Sequence, residues 1–205
     1  MAICAVSTQA QATAMQFYEH EEAANNRSGD RPQINPSPRR VLVLQGRKDP
    51  NLEIWFVSLY GTTKLECQAQ TLPGRLTGAP DVLQAIYDSI RVPTGNATFS
   101  VRFFLDRYLP GHCDWQPMGV LYSAFDPSTS TGPTSRSGMV TIRPNGQQRA
   151  ELAYICRRMT KSPSSGETPR IVCQPAKHFS NDATTMSSEG GVIELEYRLE
   201  PEHHE

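Results

Sequence analysis

The stretch LPGHCDWQPMGVLYSAF, residues 109–125, sets His112, Cys113 and Asp114 side by side. A base, a nucleophile and an acid in one run are the parts of a cysteine hydrolase. The same letters after a Pro-Gly pair also spell a disulfide-stapled turn leading into a strand. Successive side chains of an extended chain point to opposite sides, so His112 and Cys113 cannot face each other as base and nucleophile. Catalytic Cys–His pairs are assembled from residues far apart in sequence, and neither His20 nor His178 stands in such a context. The stretch reads as a staple, and no catalytic residue is expected.

Other chemistry is thinner still. Asp106 and Arg107 in FFLDRYL fall on opposite faces of an extended chain, as surface or corner residues do. Asp106 and Asp114 are the acids a small carboxylate hydrolase would bring together from different strands. The chain has no G-x-S-x-G elbow, P-loop, G-x-G-x-x-G, H-E-x-x-H or C-x-x-C. No metal and no cofactor is therefore expected, the terminal EPEHHE reading as a solvated acidic tail. Asn26-Arg27-Ser28 and Asn96-Ala97-Thr98 match the glycosylation pattern, which matters only in a eukaryotic secretory pathway.

The bulk numbers narrow the partners. Twenty basic against 21 acidic residues leave a net charge of −1, no electrostatic reason for nucleic acid or an anionic membrane. No apolar run reaches the ~20 residues that span a bilayer. MAICAVSTQAQA, residues 1–12, is uncharged and ends in the small-x-small pattern Ala10-Gln11-Ala12, the tail of an export signal. Setting aside Cys4 within it leaves Cys67, Cys113, Cys156 and Cys173, an even set that suits two disulfides in an oxidising compartment. The expected location is periplasmic or secreted.

These residues need elements to hold them. RRVLVLQG and LEIWFVSLYG, joined by RKDPN, read as a strand pair. In the second strand Leu52, Ile54 and Phe56 share one face and Trp55, Val57 and Leu59 the other, so both faces are apolar. Such a strand is covered on both sides, or it shows a patch for a partner to cover. TTKLECQAQT could extend the sheet. APDVLQAIYDSI, 79–90, is the one segment with helical spacing, although alternation also fits its second half. ATFSVRFFLDRYLPG, WQPMGVLYSAF, MVTIRPNG and GVIELEYRLEP are further strands, Asn145-Gly146 being a hairpin signal. QQRAELAYICRRM and PRIVCQP flank a turn, which sets Cys156 opposite Cys173 and leaves Cys67 for Cys113, one of three possible connectivities. Trp115 is expected beside the second bridge.

The sum is a mainly β chain: an antiparallel β-sandwich of about seven to nine strands with at most one short helix. Residues 1–12 read as the signal remnant, 13–38 as a flexible lead-in, 38–201 as a single domain and 202–205 as a tail. The core D-x-Y-L-P-G-x-C-x-W, from Asp106 to Trp115, resembles a stretch in uncharacterised exported proteins of proteobacteria. That resemblance implies a periplasmic setting and a disulfide at Cys113, and it carries no activity.

The functional expectation is an exported, stapled binding protein that recognises another protein through Trp55, Val57 and Leu59. A toxin-neutralising immunity or inhibitor protein is one role of that kind. The alternatives are an envelope structural or adhesive unit and the carboxylate hydrolase.

Overall fold

The computed structural model describes residues 18–22, 32–62, 64–67, 85–128, 132, 138–159, 170–176 and 184–200. Residues 1–12, read above as a signal remnant, Asn26, His178 and residues 201–205 lie outside them.

Alternating apolar residues build two sheets. In sheet one the strand order is β1 (Tyr18–Glu22), β4 (Ala85–Val92), β3 (Glu53–Gly61), β6 (Gln116–Phe125), β7 (Gly138–Arg143) and β10 (Thr185–Ser187). Sheet two runs β5 (Thr98–Phe104), β2 (Val41–Lys48), β11 (Gly191–Leu199), β8 (Arg149–Met159) and β9 (Arg170–Pro175). Their inner faces form one buried cluster, with Ile54, Phe56 and Val120 from sheet one against Leu44, Val101 and Leu195 from sheet two. The contact is direct: Phe56 and Phe99 have ring centroids 5.6 Å apart. Tyr122 and Tyr154 join hydroxyls at 2.7 Å from opposite sheets, and Tyr154 stacks on Tyr197. A buried hydroxyl needs such a partner, and here one of the two donates to the other.

Several expectations change. Both sheets are mixed, because the last long strand, β11, inserts between β2 and β8 and runs parallel to both, and β10 runs parallel to β7. Alternation tells which side chains face the core but not the direction of the neighbouring strand. The RKDPN turn does not close a hairpin, since β2 lies in sheet two and β3 in sheet one; it carries the chain across the sandwich. Asn145-Gly146 does likewise between β7 and β8. Finally, 85–92 is strand rather than helix, with Ile86, Asp88, Ile90 and Val92 buried at period two. Residues 79–84 lie outside the described segments. The only helix described is one 3₁₀ turn, Leu65–Cys67, where a sheet extension was expected.

Within the expected lead-in, Tyr18–Glu22 pairs antiparallel with β4, and Ile34 bridges Tyr108. Backbone ladders need no hydrophobic period, which is why composition did not mark them. No helix among the described residues is long and apolar enough to cross a membrane.

The sheet-crossing turn holds one unusual cation. Lys48 is buried, with Nζ donating to the Leu52 carbonyl at 2.6 Å. Desolvation pulls its pKa from 10.5 down to about 8, against the opposing pull of Asp49 and Glu53. Between those two values the unfolded chain binds more protons than the folded one, so stability contributed by this group rises with pH. Urea unfolding should show the parent gaining stability relative to Lys48→Met from pH 8 to 10.5; parallel pH profiles would contradict it.

Candidate functional site

Cys67 and Cys113 are bonded with Cα atoms 5.7 Å apart, and Cys156 and Cys173 with Cα atoms 4.0 Å apart. The second pair are direct cross-strand partners of β8 and β9. The first closes a small satellite core of Tyr60, Ile86, Tyr108 and Trp115, so the tryptophan lies where the turn chemistry placed it. Trp115 N–H donates to the Pro110 carbonyl at 2.8 Å and Thr62 Oγ1 to the Cys113 carbonyl, which fixes the corner. Cys113 is thus a staple, not a thiolate.

The other singled-out residues scatter. Asp106 accepts the backbone N–H groups of Arg39, at 2.9 and 3.1 Å, and Arg40, at 3.0 Å. Asp114 accepts from Gln116 Nε2 at 2.7 Å. The two carboxylates have separate structural partners and share no ligand. Exposed His112 Nε2 lies 3.2 Å from Glu66 Oε1 beside Cys67, whose sulfur is committed to the bridge. Lys64 Nζ competes for the same carboxylate at 4.0 Å.

Sequence reasoning missed a buried polar group. Asp88 is 3% exposed; Arg107 Nε stands 2.9 Å from its Oδ2 and the Tyr108 hydroxyl donates to Oδ1 at 3.0 Å. Burial first, then the Asp88 charge, pushes Tyr108 up to about 12. Burial likewise raises neighbouring Tyr60, whose hydroxyl donates to the Phe104 carbonyl. The available signal was an aspartate at an inward position of an alternating strand, AIYDSIRV.

Trp55, Val57 and Leu59 do share one face, the outer face of sheet one. Strand register sets Val57 between Ser89 and Leu121, and Leu121 beside Met139. Leu59 stands between Tyr87 and Gly119, and Trp55 between Arg91 and Ser123. An apolar row therefore crosses β3, β6 and β7 and ends on Met139, 46% exposed. The Arg91 guanidinium covers the Trp55 ring at 4.8 Å and pairs with Glu53 at 3.9 Å. The Trp55 indole N–H has no partner among the described residues.

The opposite outer face is built differently. On sheet two Gln45 donates to Glu194 at 2.9 Å, Arg149 lies 3.6 Å from Glu194, and Arg198 pairs with Glu196 at 2.8 Å. Arg47, Glu151, Glu194, Glu196 and Arg198 line a depression of about 400 Å³, with Gly46 and Ala153 between them. Charges that satisfy one another on an exposed sheet are a solvated face.

No family model matches this chain, and no characterised protein or solved structure is similar to it.

Proposed function

We propose that this chain is an exported, disulfide-stapled β-sandwich that recognises a partner protein through the outer face of sheet one. The observation that supports it is the asymmetry between the two outer faces. One carries Trp55, Val57, Leu59, Leu121 and Met139 in register; the other sets Val43 beside Val192 but is otherwise dominated by paired charges. Leu121, Ser89 and Ser123 on the first are already buried within the chain, and what remains for a partner to cover lies around Met139 and the half-buried Trp55, Val57 and Leu59. The composition suits a contact: an aromatic anchor, a methionine that adapts its shape, and Arg91 and Glu53 as a polar margin. The sandwich and its two bridges hold this face rigid, so little ordering is lost on association. A secreted or periplasmic enzyme to be neutralised is one class of partner such a rigid apolar face fits.

Leu59→Glu tests the reading, because that half-buried side chain lies on the outer face and not in the buried core. A protein that co-purifies with the exported parent chain, identified by mass spectrometry and reconstituted, should bind the variant at least ~30-fold more weakly. Affinity unchanged by Leu59→Glu, with the urea midpoint also unchanged, would overturn it.

A further inference from the structure

We propose that Glu66, Cys67, His112 and Cys113 form a zinc-type metal site when the Cys67–Cys113 bridge is reduced, so that bridge and metal are alternative states of one corner. The inference stands apart from the outer-face reading. Each cysteine is preceded in the chain by a second metal-ligating side chain: Glu66 before Cys67 in the 3₁₀ turn, and His112 before Cys113 in the Pro-Gly corner. Among the described residues, Glu66, Cys67 and His112 are the only group of three such side chains brought together, with their ligand atoms within 4.8 Å of one another. The fourth donor, the Cys113 sulfur, is bonded to the Cys67 sulfur.

The spacings suit a tetrahedral centre. His112 Nε2 lies 3.2 Å from Glu66 Oε1. Nitrogen and oxygen ligands of one zinc ion stand roughly 3.4 Å apart, and two thiolates about 3.8 Å apart. Cysteines with Cα atoms 5.7 Å apart reach that second separation without moving the backbone far. Both sulfurs are buried, whereas the Glu66 and His112 side chains are 61% and 70% exposed, so a metal enters from the solvent side. Contacts other than the bond keep the two segments together: Thr62 Oγ1 donates to the Cys113 carbonyl and Lys64 Nζ to the His112 carbonyl. Two cysteinates and a carboxylate around a divalent ion leave one negative charge in excess. The Lys64 ammonium, 4.0 Å from Glu66, offsets it.

The exchange balances. A dithiol reduces the bridge, becoming a disulfide itself and leaving two cysteine thiols. The metal then replaces both thiol protons, which pass to water, and His112 binds through its neutral ring. Two thiolates with an imidazole select zinc over magnesium or calcium. The other bridge offers no such set: its chain neighbours are Ile155, Arg157, Val172 and Gln174.

The test uses the full chain, reduced with a phosphine so that every cysteine is a thiol, and zinc chloride as the probe. One equivalent should slow alkylation of Cys67 and Cys113 by N-ethylmaleimide at least ~10-fold and leave Cys4, Cys156 and Cys173 unchanged, read by peptide mass mapping. His112→Ala replaces an exposed side chain outside both buried clusters, and it should weaken zinc binding at least ~10-fold. Zinc should also raise the urea midpoint of the reduced chain, because it holds the folded arrangement. Alkylation of Cys67 and Cys113 unaffected by zinc, protection shared equally with Cys156 and Cys173, or the same affinity in His112→Ala would overturn the proposal. A urea midpoint that zinc leaves unchanged would mean binding to unfolded cysteines, and it too would end it.

Discussion

Replacing Cys67 and Cys113 together by serine should lower the unfolding free energy by about 4 kcal/mol, the larger of the two bridge effects. The bridge closes a loop with a sequence separation of 46, against 17 for Cys156–Cys173. On the chain-entropy relation the shorter loop contributes about 3 kcal/mol. Location makes the first bridge matter more. Cys67 ends a single helical turn and Cys113 sits in a corner, both beyond the last β3–β6 pair, Gly61↔Gln116, so neither cysteine is itself held in a ladder. Without the bond the satellite core of Tyr60, Ile86, Tyr108 and Trp115 loses its clamp. Cys156 and Cys173 remain neighbours through the β8–β9 ladder even when reduced. Urea unfolding followed by tryptophan fluorescence measures both. A loss below ~1 kcal/mol for the Cys67/Cys113 pair, or a larger loss for Cys156/Cys173, would contradict the assignment of roles.

Gly46→Ala should cost at least about 3 kcal/mol, a size reserved for overpacking that nothing can relax. Gly46 is paired with Leu195 in the parallel β2–β11 ladder. A Cβ there would lie 1.8 Å from the Leu195 carbonyl oxygen and 2.7 Å from its carbon, with Gly46 at φ +155°. The obstructing atoms are backbone of a central strand, so relief requires β2 and β11 to part. Gly95→Ala is the control, because Gly95 has φ +88° but no atom within 4 Å of the added Cβ. That substitution costs only the conformational term, about 1 kcal/mol. Equal losses at the two positions would mean that β2 does not approach β11 as described.

These expectations also show where the sequence was legible. Period-two runs marked strands and their inward residues well: Ile193, Leu195 and Tyr197 are buried as alternation required. Cysteine counting and one turn gave both bridges. What failed was everything that depends on which strand lies beside which. RKDPN and Asn145-Gly146 have hairpin chemistry, yet they cross between sheets, because turn residues set local backbone angles and not the sheet in which the next strand finds its partners. The β4 segment was ambiguous because Ile86 and Ile90 satisfy both helical and extended spacing. The buried Asp88 was decided by Arg107 and Tyr108, which arrive from elsewhere in the chain. For the candidate site, the shared face of Trp55, Val57 and Leu59 could be read directly. Its continuation to Leu121 and Met139 needed the β3–β6–β7 register.

The central claim is that a partner covers one outer face and not the other. A photo-cross-linking amino acid placed at Val57, on the outer face of sheet one, and separately at Val43, on the outer face of sheet two, tests it in the cells that make the chain. The expected result is a single dominant protein adduct from position 57 and none from position 43. Adducts from position 43 alone, or in equal yield from both, would contradict the assignment of the recognition face.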